Sequence, residues 1–394
     1  MRIEKVNIFS ADGVFRKGAV EFDDVIQKIE FDAGQDDDAG AYADADAGAY
    51  ADADTDAGAG HDAGAELYLI PGLIDIHTHG AVNGDHSDGS EEYMQDMAMF
   101  YAKNGVTSFL ATTITCSGKQ LEGAMQNISR YKRQKNGARC AGVNMEGPFL
   151  SYEKRGAHTD EFLQPPSIPM FEKMHVASGG SIRLVSIAPE LPGAMEFIKA
   201  ASQVCKVALA HSAAGYDTAI EAFKSGASHV THLFNAMSPF SHRDPAIPGA
   251  AMDSRAYVEI ISDGVHLHPS VIRAVFSMFP ERVCLVSDSI RSTGLPEGNY
   301  ELGGLPVIVK NGKVTLEDGT IAGSNARLIE CVRNAVSYGV PIEKAIAAAT
   351  INNARAAGLG ENYGSLEPGA CADMVLLDKN LDIQKVYIAG SPVE

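Results

Sequence analysis

Two histidines separated by one residue end an apolar segment of the sequence, "LYLIPGLIDIHTHG" at residues 67–80. Because side chains alternate between the two faces of an extended strand, His77 and His79 are expected to point the same way. Two neutral imidazoles that converge from one strand end are suitable ligands for a divalent metal such as zinc or iron. An isolated H-x-H pattern also fits the solvated end of an ordinary strand, so the pair alone leaves both interpretations open.

Further histidines and acids end other apolar segments of the chain. Glu146 ends "CAGVNME", His211 ends "KVALAH", His232 ends "SHVTH" and Asp288 ends "RVCLVSD". Taken one at a time, these residues fit helix caps or solvated loops equally well. Four histidines and two carboxylates that all end predicted strands are hard to explain in that way. The pattern therefore predicts that they form a single metal site.

The elements that must position these residues are eight short apolar runs between residues 73 and 288, separated by amphipathic helical patterns. Strands rich in β-branched residues that alternate with helices indicate βα units and a parallel sheet. Eight such units over about 220 residues fit a closed (β/α)8 barrel, which typically takes ~250 residues. The carboxyl ends of barrel strands form the rim on which active sites are built, and the residues above fall at that rim.

Other histidines fit this pattern less well. His229 lies three residues before His232, so strand alternation places it on the opposite face and a structural or surface role is expected. His86, in "NGDHSDG", follows the first pair closely, and its role stays open, with a structural one favoured. His175 and His242 are given no role.

The net charge of −19 comes largely from one low-complexity segment at residues 32–66, which contains ten Asp, one Glu and no Lys or Arg. Without it the chain carries −8, an ordinary surface charge that supplies no basic stripe for nucleic acid. The segment repeats "AGAYADAD" and is too poor in large apolar residues to fold, so we expect a disordered insert. A calcium-binding repeat is the alternative, and His61 within it is given no role.

The chain shows no apolar run long enough to predict a membrane span. Its first residues, "MRIEKVNIFSADG", alternate like a strand and lack the features of a signal peptide. Six scattered cysteines without a C-x-x-C pair are typical of buried thiols in a reducing compartment. We therefore expect a cytoplasmic protein that binds neither membranes nor nucleic acid.

Eight motifs occur in an order typical of one enzyme family: "PGLIDIHTHG", "NMEGPFL", "KRGAHT", "APE", "ALAHSAA", "THLFNAMS", "ISDGVHLHP" and "LVSDSI". On these motifs the chain resembles the N-acetylglucosamine-6-phosphate deacetylases, which are metal-dependent amidohydrolases. The resemblance covers nearly the whole chain outside residues 32–66. It implies an α/β fold, with a TIM-like barrel at residues 70–363 and a small β-sandwich domain formed from both termini, at residues 1–69 and 364–394.

The resemblance implies that Glu146, His211 and His232 hold the principal metal and that His77 and His79 belong to a second position. Some members of the family replace this histidine pair and use one metal, so one or two ions per subunit stay open. Zinc or iron is expected, with manganese and cobalt as alternatives. The fourth strand ends "SIAPE" without a lysine that could bridge two metals. Glu146 must therefore be the bridging carboxylate if two ions bind.

The resemblance also implies that Asp288 is the general base and acid in hydrolysis of the acetamide of N-acetylglucosamine 6-phosphate. The positions that match the family's substrate contacts are Ala157, His158, Asn235, Ala236, Arg243, His266, Ile321, Ala322 and Gly323. In the family, the arginine matching Arg243 reaches the sugar phosphate in the neighbouring subunit's site, which implies a homodimer. The alternative for Arg243 is a surface ion pair with Asp244.

Two other functions stay open. One is deacetylation of another N-acetylhexosamine 6-phosphate, such as the galactosamine epimer, since the two sugars differ in the orientation of one hydroxyl. The other is a non-catalytic scaffold, although such proteins typically lose metal histidines that this chain keeps. A cyclic-amide hydrolase is disfavoured because the fourth strand lacks a lysine.

Overall fold

Strands from the two ends of the chain pair in one seven-stranded sheet, in a computed structural model that describes residues 1–32, 66–360 and 362–394. With strands numbered in chain order, its members are β1 (Arg2–Phe9), β2 (Phe15–Phe22), β3 (Ile26–Phe31), β4 (Tyr68–Pro71), β18 (Met374–Leu377), β19 (Ile383–Ile388) and β20 (Ser391–Pro392). The antiparallel pairing of β18 with β4 joins the two ends of the chain. The exact division into residues 70–363 and the terminal segments stays a prediction, and the expected disordered insert lies outside the described residues except at its two ends.

Eight parallel strands form the central sheet and follow one another in sequence order. They are β5 (Leu73–Thr78), β8 (Val106–Thr113), β9 (Arg139–Met145), β10 (Ile182–Ile187), β11 (Lys206–Leu209), β12 (His229–Val230), β13 (Tyr257–Ile260) and β14 (Val283–Leu285). A parallel bridge between Thr78 and Ser289 joins the last strand's end to the first, so the sheet closes into a barrel. The predicted fold and its eight strands are confirmed.

Ten α-helices occur in the described part of the chain, and most of them follow barrel strands. They are α1 (Glu91–Lys103), α2 (Gly118–Arg130), α3 (Ile168–Ala177), α4 (Ala194–Ala201), α5 (Tyr216–Ser225), α6 (Ala246–Asp253), α7 (Pro269–Met278), α8 (Leu328–Ser337), α9 (Ile342–Ala349) and α10 (Ile351–Ala356). Ser90, Ser117 and Ser167 cap α1, α2 and α3 by accepting a backbone N–H in the first turn. None of the described helices has the length and apolar character needed to cross a membrane.

Smaller elements lie in the segments that follow the carboxyl ends of barrel strands. A short ribbon, β6 (Gly80–Ala81) with β7 (Gly84–Asp85), follows the first strand and leads into a 3₁₀ helix at His86–Asp88. A second 3₁₀ helix spans Asp160–Phe162. An antiparallel three-stranded sheet follows the eighth strand and contains β15 (Gly298–Leu302), β16 (Leu305–Lys310) and β17 (Lys313–Thr315).

Helix α10 contacts both the first and the last barrel strand where they meet. Asn353 is fully buried, and its amide nitrogen donates to Ile74 O of β5 at 2.6 Å and to Leu285 O of β14 at 2.8 Å. The neighbouring Asn352 donates to Val283 O at 2.8 Å and so contacts one strand. The side chain of Asn353 therefore joins the two strands that must meet for the barrel to close.

Replacing Asn353 with alanine is expected to lower the free energy of unfolding by about 2–6 kcal/mol, because two buried carbonyls lose their donor and each such loss costs ~1–3 kcal/mol. Denaturant unfolding followed by circular dichroism measures the change. Asn352→Ala is the matched control and should cost about half as much, since it removes one such bond. Equal losses for the two variants would show that bridging the two strands adds nothing.

Candidate metal centre

Three of the predicted site residues lie just after barrel strands and have a left-handed backbone conformation. His211, His232 and Asp288 have positive φ angles of 44°, 27° and 50°. Residues other than glycine rarely adopt such angles, and those that do cluster at functional sites. The change of backbone direction explains why β11, β12 and β14 end earlier than the sequence predicted.

Glu146 lies at the centre of the site, immediately after β9, and is 2% exposed. Its Oε1 lies 3.3 Å from both His211 Nε2 and His232 Nε2. Its Oε2 lies 3.1 Å from His79 Nε2 and 3.5 Å from His77 Nε2. Each carboxylate oxygen therefore faces its own pair of imidazoles, as the bridging role predicted for Glu146 requires.

Asp288 lies at the end of the site that contains the first histidine pair. Its Oδ1 is 3.3 Å from His79 Nε2 and 3.4 Å from His77 Nε2, and its backbone N–H donates to His77 O at 2.9 Å. All three side chains are buried, which excludes the solvated strand edge considered above. The structure thus brings together every residue predicted for the metal site and its acid–base partner.

The spacing of these atoms fits a cation. The ring nitrogens of His211 and His232 are 3.1 Å apart and those of His77 and His79 are 3.4 Å apart. Ligand atoms ~2.0–2.2 Å from a tetrahedral zinc are about 3.3–3.6 Å from one another. Glu146 Oε1 is buried and accepts no well-formed hydrogen bond from the described residues. Because an unsatisfied buried carboxylate oxygen is costly, a bound cation would supply the partner that this atom lacks.

The electrostatics of the site favour positive charge. Burial opposes ionisation of Glu146, but the charge of His77 and contacts with His158 and His211 hold its pKa well below the usual range. Burial likewise opposes a charge on His77, but Glu146, Glu259 and Asp288 outweigh it and raise its pKa well above the usual value. The negative charge of these carboxylates favours protonation of the neighbouring imidazoles. A divalent cation would balance the same negative charge and leave the imidazoles neutral.

Glu259 and His229 are contacts of the site that the sequence analysis missed. Glu259, fully buried on β13, accepts from His77 Nδ1 and from His229 Nε2, both at 2.8 Å. His229 is fully buried, so the surface alternative considered for it is wrong. A charged residue inside the apolar run "YVEIISD" was the available signal.

Two further histidines are buried near the site. His86 stacks on Phe109 with ring centroids 5.4 Å apart, and burial, with a smaller contribution from the charge of His79, lowers its pKa to about 3. This supports the structural role favoured for His86. His158 Nδ1 lies 2.7 Å from Thr115 Oγ1, while its Nε2 lies 3.5 Å from Glu146 Oε2. Predicted as a substrate contact, His158 is thus also close enough to join Glu146 and His211 in a group that can hold a metal.

A cavity of about 560 Å³ opens above the metal centre. Most of the predicted substrate contacts line it: Ala157, His158, Asn235, Ala236, His266, Ile321 and Gly323. Ala322 is buried beside them in the same loop. Lys154 and Arg155 also line the cavity and bring positive charge that the sequence analysis did not assign, although it quoted their motif. The cavity therefore combines side chains that could hold a metal with two cationic side chains, beside the carboxylates of Glu153 and Asp318.

Arg243 is the one predicted contact that lies elsewhere. It is exposed and lines a separate concavity of about 470 Å³ together with Tyr216, Asp217 and Pro245. Within one chain it therefore does not line the cavity above the metal centre. The expected contact with a neighbouring subunit stays a prediction.

Two groups of deacetylases are similar in sequence to this chain. An N-acetylgalactosamine-6-phosphate deacetylase of Escherichia coli O157:H7 is 36% identical over 330 residues, which cover 83% of this chain and 87% of the relative. An N-acetylglucosamine-6-phosphate deacetylase of Bacillus subtilis (strain 168) is 36% identical over 337 residues, covering 84% and 85% of the two chains.

A solved structure has the same architecture. A variant of N-acetyl-D-glucosamine-6-phosphate deacetylase from Mycobacterium smegmatis, in complex with N-acetyl-D-glucosamine-6-phosphate, superposes with a TM-score of 0.86 at 29% identity, covering 100% of this chain and 99% of the other. The model of the Amidohydrolase family matches residues 68–393, a range that includes every residue of the metal centre. The chain therefore belongs to the amidohydrolase family.

Proposed function

We propose that this enzyme hydrolyses the acetamide of N-acetyl-D-glucosamine 6-phosphate to glucosamine 6-phosphate and acetate. The observation that carries the proposal is the position of Glu146, whose two oxygens face four imidazoles at the floor of a cavity of about 560 Å³. The identity with relatives named as deacetylases of this sugar phosphate supports the substrate class. The intact ligand set disfavours a non-catalytic scaffold.

The metal assignment is part of the proposal. Glu146, His211 and His232 would hold the principal cation, and His77 and His79 would hold a second one that shares Glu146. A bound divalent cation supplies Lewis acidity for the amide carbonyl and makes water more acidic. Nitrogen and carboxylate ligands suit zinc or iron, with manganese or cobalt as alternatives.

Asp288 would move the proton that amide hydrolysis requires. The C–N bond breaks as the oxygen of water bonds to the acetyl carbon, and the sugar nitrogen must leave as an amine because an amide anion is too basic. Burial opposes ionisation of Asp288, but positive charge in the site, on His77 and His79 or on a cation that they hold, lowers its pKa. Its carboxylate can therefore accept a proton from the attacking water and donate it to the leaving nitrogen.

The remaining cavity residues would bind the sugar and its phosphate. His158, which is fully buried, has a pKa lowered to about 4 by burial and by the charge of His211, so it is neutral and able to donate one hydrogen bond. Ala157 and the loop of Ile321, Ala322 and Gly323 would enclose the sugar. The phosphate would meet His266 and the backbone at Asn235 and Ala236, with Lys154 and Arg155 adding positive charge.

We further propose a cytoplasmic homodimer in which Arg243 binds the phosphate in the partner subunit's site. The exposure of Arg243, outside its own chain's cavity, supports this arrangement. A guanidinium forms paired, charge-assisted hydrogen bonds with phosphate oxygens, which a neutral side chain cannot replace.

Replacing Arg243 with alanine is expected to raise KM for the phosphorylated sugar by about 10-fold or more, if one charge-assisted contact worth ~1.5–3 kcal/mol is lost. Weak activity on unphosphorylated N-acetylglucosamine should stay nearly unchanged. Steady-state kinetics on both substrates measure the difference. The same loss on both substrates would show that Arg243 has a structural role instead.

Amine release from a panel of N-acetylhexosamine 6-phosphates, with enzyme of measured metal content, tests the proposed function. A preference in kcat/KM for the glucosamine epimer is expected. A preference for the galactosamine epimer would support the second candidate, which one relative's name also favours. Enzyme that carries metal but releases no amine from any member of the panel would overturn both.

A further inference from the structure

Glu259 is a carboxylate in an unusual position, since it is fully buried in the middle of a barrel strand between Val258 and Ile260. Its two oxygens contact two different imidazoles, His77 Nδ1 through Oε2 and His229 Nε2 through Oε1, each at 2.8 Å. Oε2 also accepts the backbone N–H of His232 at 3.3 Å. A buried acid with this many partners is part of an organised network rather than an isolated charge.

The network determines which nitrogen of His77 faces the site. An ionised carboxylate can only accept hydrogen bonds, so His77 carries its proton on Nδ1 and donates a hydrogen bond from it to Glu259. A neutral imidazole then has a free lone pair on Nε2, the atom that lies 3.5 Å from Glu146 Oε2. Histidines that bind metals usually donate their other N–H to such a partner, which fixes the tautomer and the ring orientation.

The other site histidines have different surroundings. His211 Nδ1 lies 2.9 Å from the backbone oxygen of Lys154. The Nδ1 atoms of His79 and His232 have no hydrogen-bond partner among the described residues. Among these four histidines, within the described residues, only His77 has a carboxylate bonded to its Nδ1 atom. The influence of that carboxylate on the tautomer therefore falls on the His77–His79 end of the site.

We propose that Glu259, held in place by His229, is a positioning residue that sets the affinity of the His77–His79 end for a second divalent cation. The inference rests on the proposed metal site. It adds that the His77–His79 end differs from the His211–His232 end by having a carboxylate bonded to one of its imidazoles. With Glu259 in place, the chain binds two cations. Without its charge, the chain keeps the cation held by Glu146, His211 and His232 and binds the other one weakly.

The test is a cobalt(II) titration of the metal-free full-length chain in the presence of a competing chelator, with bound metal per chain measured by elemental analysis. Two equivalents are expected for the wild type. In Glu259→Gln, which preserves the size of the side chain, the dissociation constant of one equivalent should rise about 10–100-fold while the other is unchanged. His229→Phe removes the donor to Glu259 and should shift the same equivalent by a smaller factor.

Asp75→Asn is the matched control, because Asp75 is a buried carboxylate on the same strand as His77 that accepts from the backbone amides of His77 and Ser287. It should leave both affinities unchanged. Wild-type-like binding in Glu259→Gln, an equal loss of both equivalents, or a single equivalent in the wild type overturns the inference. If Glu259→Gln does not fold in a thermal unfolding scan, unchanged binding in His229→Phe overturns it. Failure of the wild type to bind any cation would instead overturn the proposed metal site.

Discussion

Replacing Asp288 with asparagine is expected to lower kcat by about 10³-fold or more while the cation held by Glu146, His211 and His232 stays bound. Asparagine has the shape of aspartate but cannot carry a proton between water and the leaving nitrogen. The two carboxylate contacts of Asp288, with His77 and His79, lie at the other end of the site from His211 and His232. The loss should therefore fall on the chemical step.

Initial rates of amine release and elemental analysis of the same sample measure this effect. A thermal unfolding curve close to that of the wild type shows that the fold is intact. Turnover within a few-fold of the wild type would remove Asp288 from the proton-transfer role. A fall in turnover matched by loss of all bound metal would show that Asp288 acts mainly as a ligand.

Replacing Glu146 with glutamine should lower the affinity for both cations by at least ~10²-fold, which is the upper range for loss of a ligand's supporting partner alone. The reason is geometric, because the two oxygens of Glu146 face both pairs of imidazoles and no charge would remain between them. Turnover should fall in parallel, since the amide carbonyl would lose the Lewis acid that would polarise it.

Chelator competition with zinc or cobalt, followed by elemental analysis, measures the affinity of the Glu146→Gln variant. Glu190→Gln is the matched control, since Glu190 accepts from Ser212 Oγ and from the backbone N–H of Ala213 at the same rim. It should bind both cations as the wild type does. Retention of metal and activity by Glu146→Gln would contradict the assignment of the whole centre.

Much of the barrel could be predicted because its strands are short runs of β-branched and apolar residues between amphipathic helices. The strand Val106–Thr113 has the bounds predicted from the apolar, β-branched run "VTSFLATT". The fifth and sixth barrel strands are shorter than predicted, because His211 and His232 adopt positive φ angles. Local sequence preference favours extending a strand through such residues, and the tertiary contacts around Glu146 override it.

The convergence of the proposed metal ligands could be predicted because each ends a predicted strand of one parallel sheet, and the strands of a barrel end at a common rim. The roles of Glu259 and His229 could not be predicted in the same way. The argument for His229 assumed a regular strand as far as His232, whereas the strand ends at Val230. Which imidazole a buried carboxylate contacts depends on the stagger between neighbouring strands, and one sequence does not determine that.

The arrangement of Glu146 makes the site modular in evolutionary terms. Oε1 faces His211 and His232, whereas Oε2 faces His77 and His79, so each half has its own pair of imidazoles. A lineage can lose the first histidine pair by mutation and keep the ligands of the other half in place. On the proposed assignment, a change from two bound ions to one would therefore require substitutions at His77 and His79 alone.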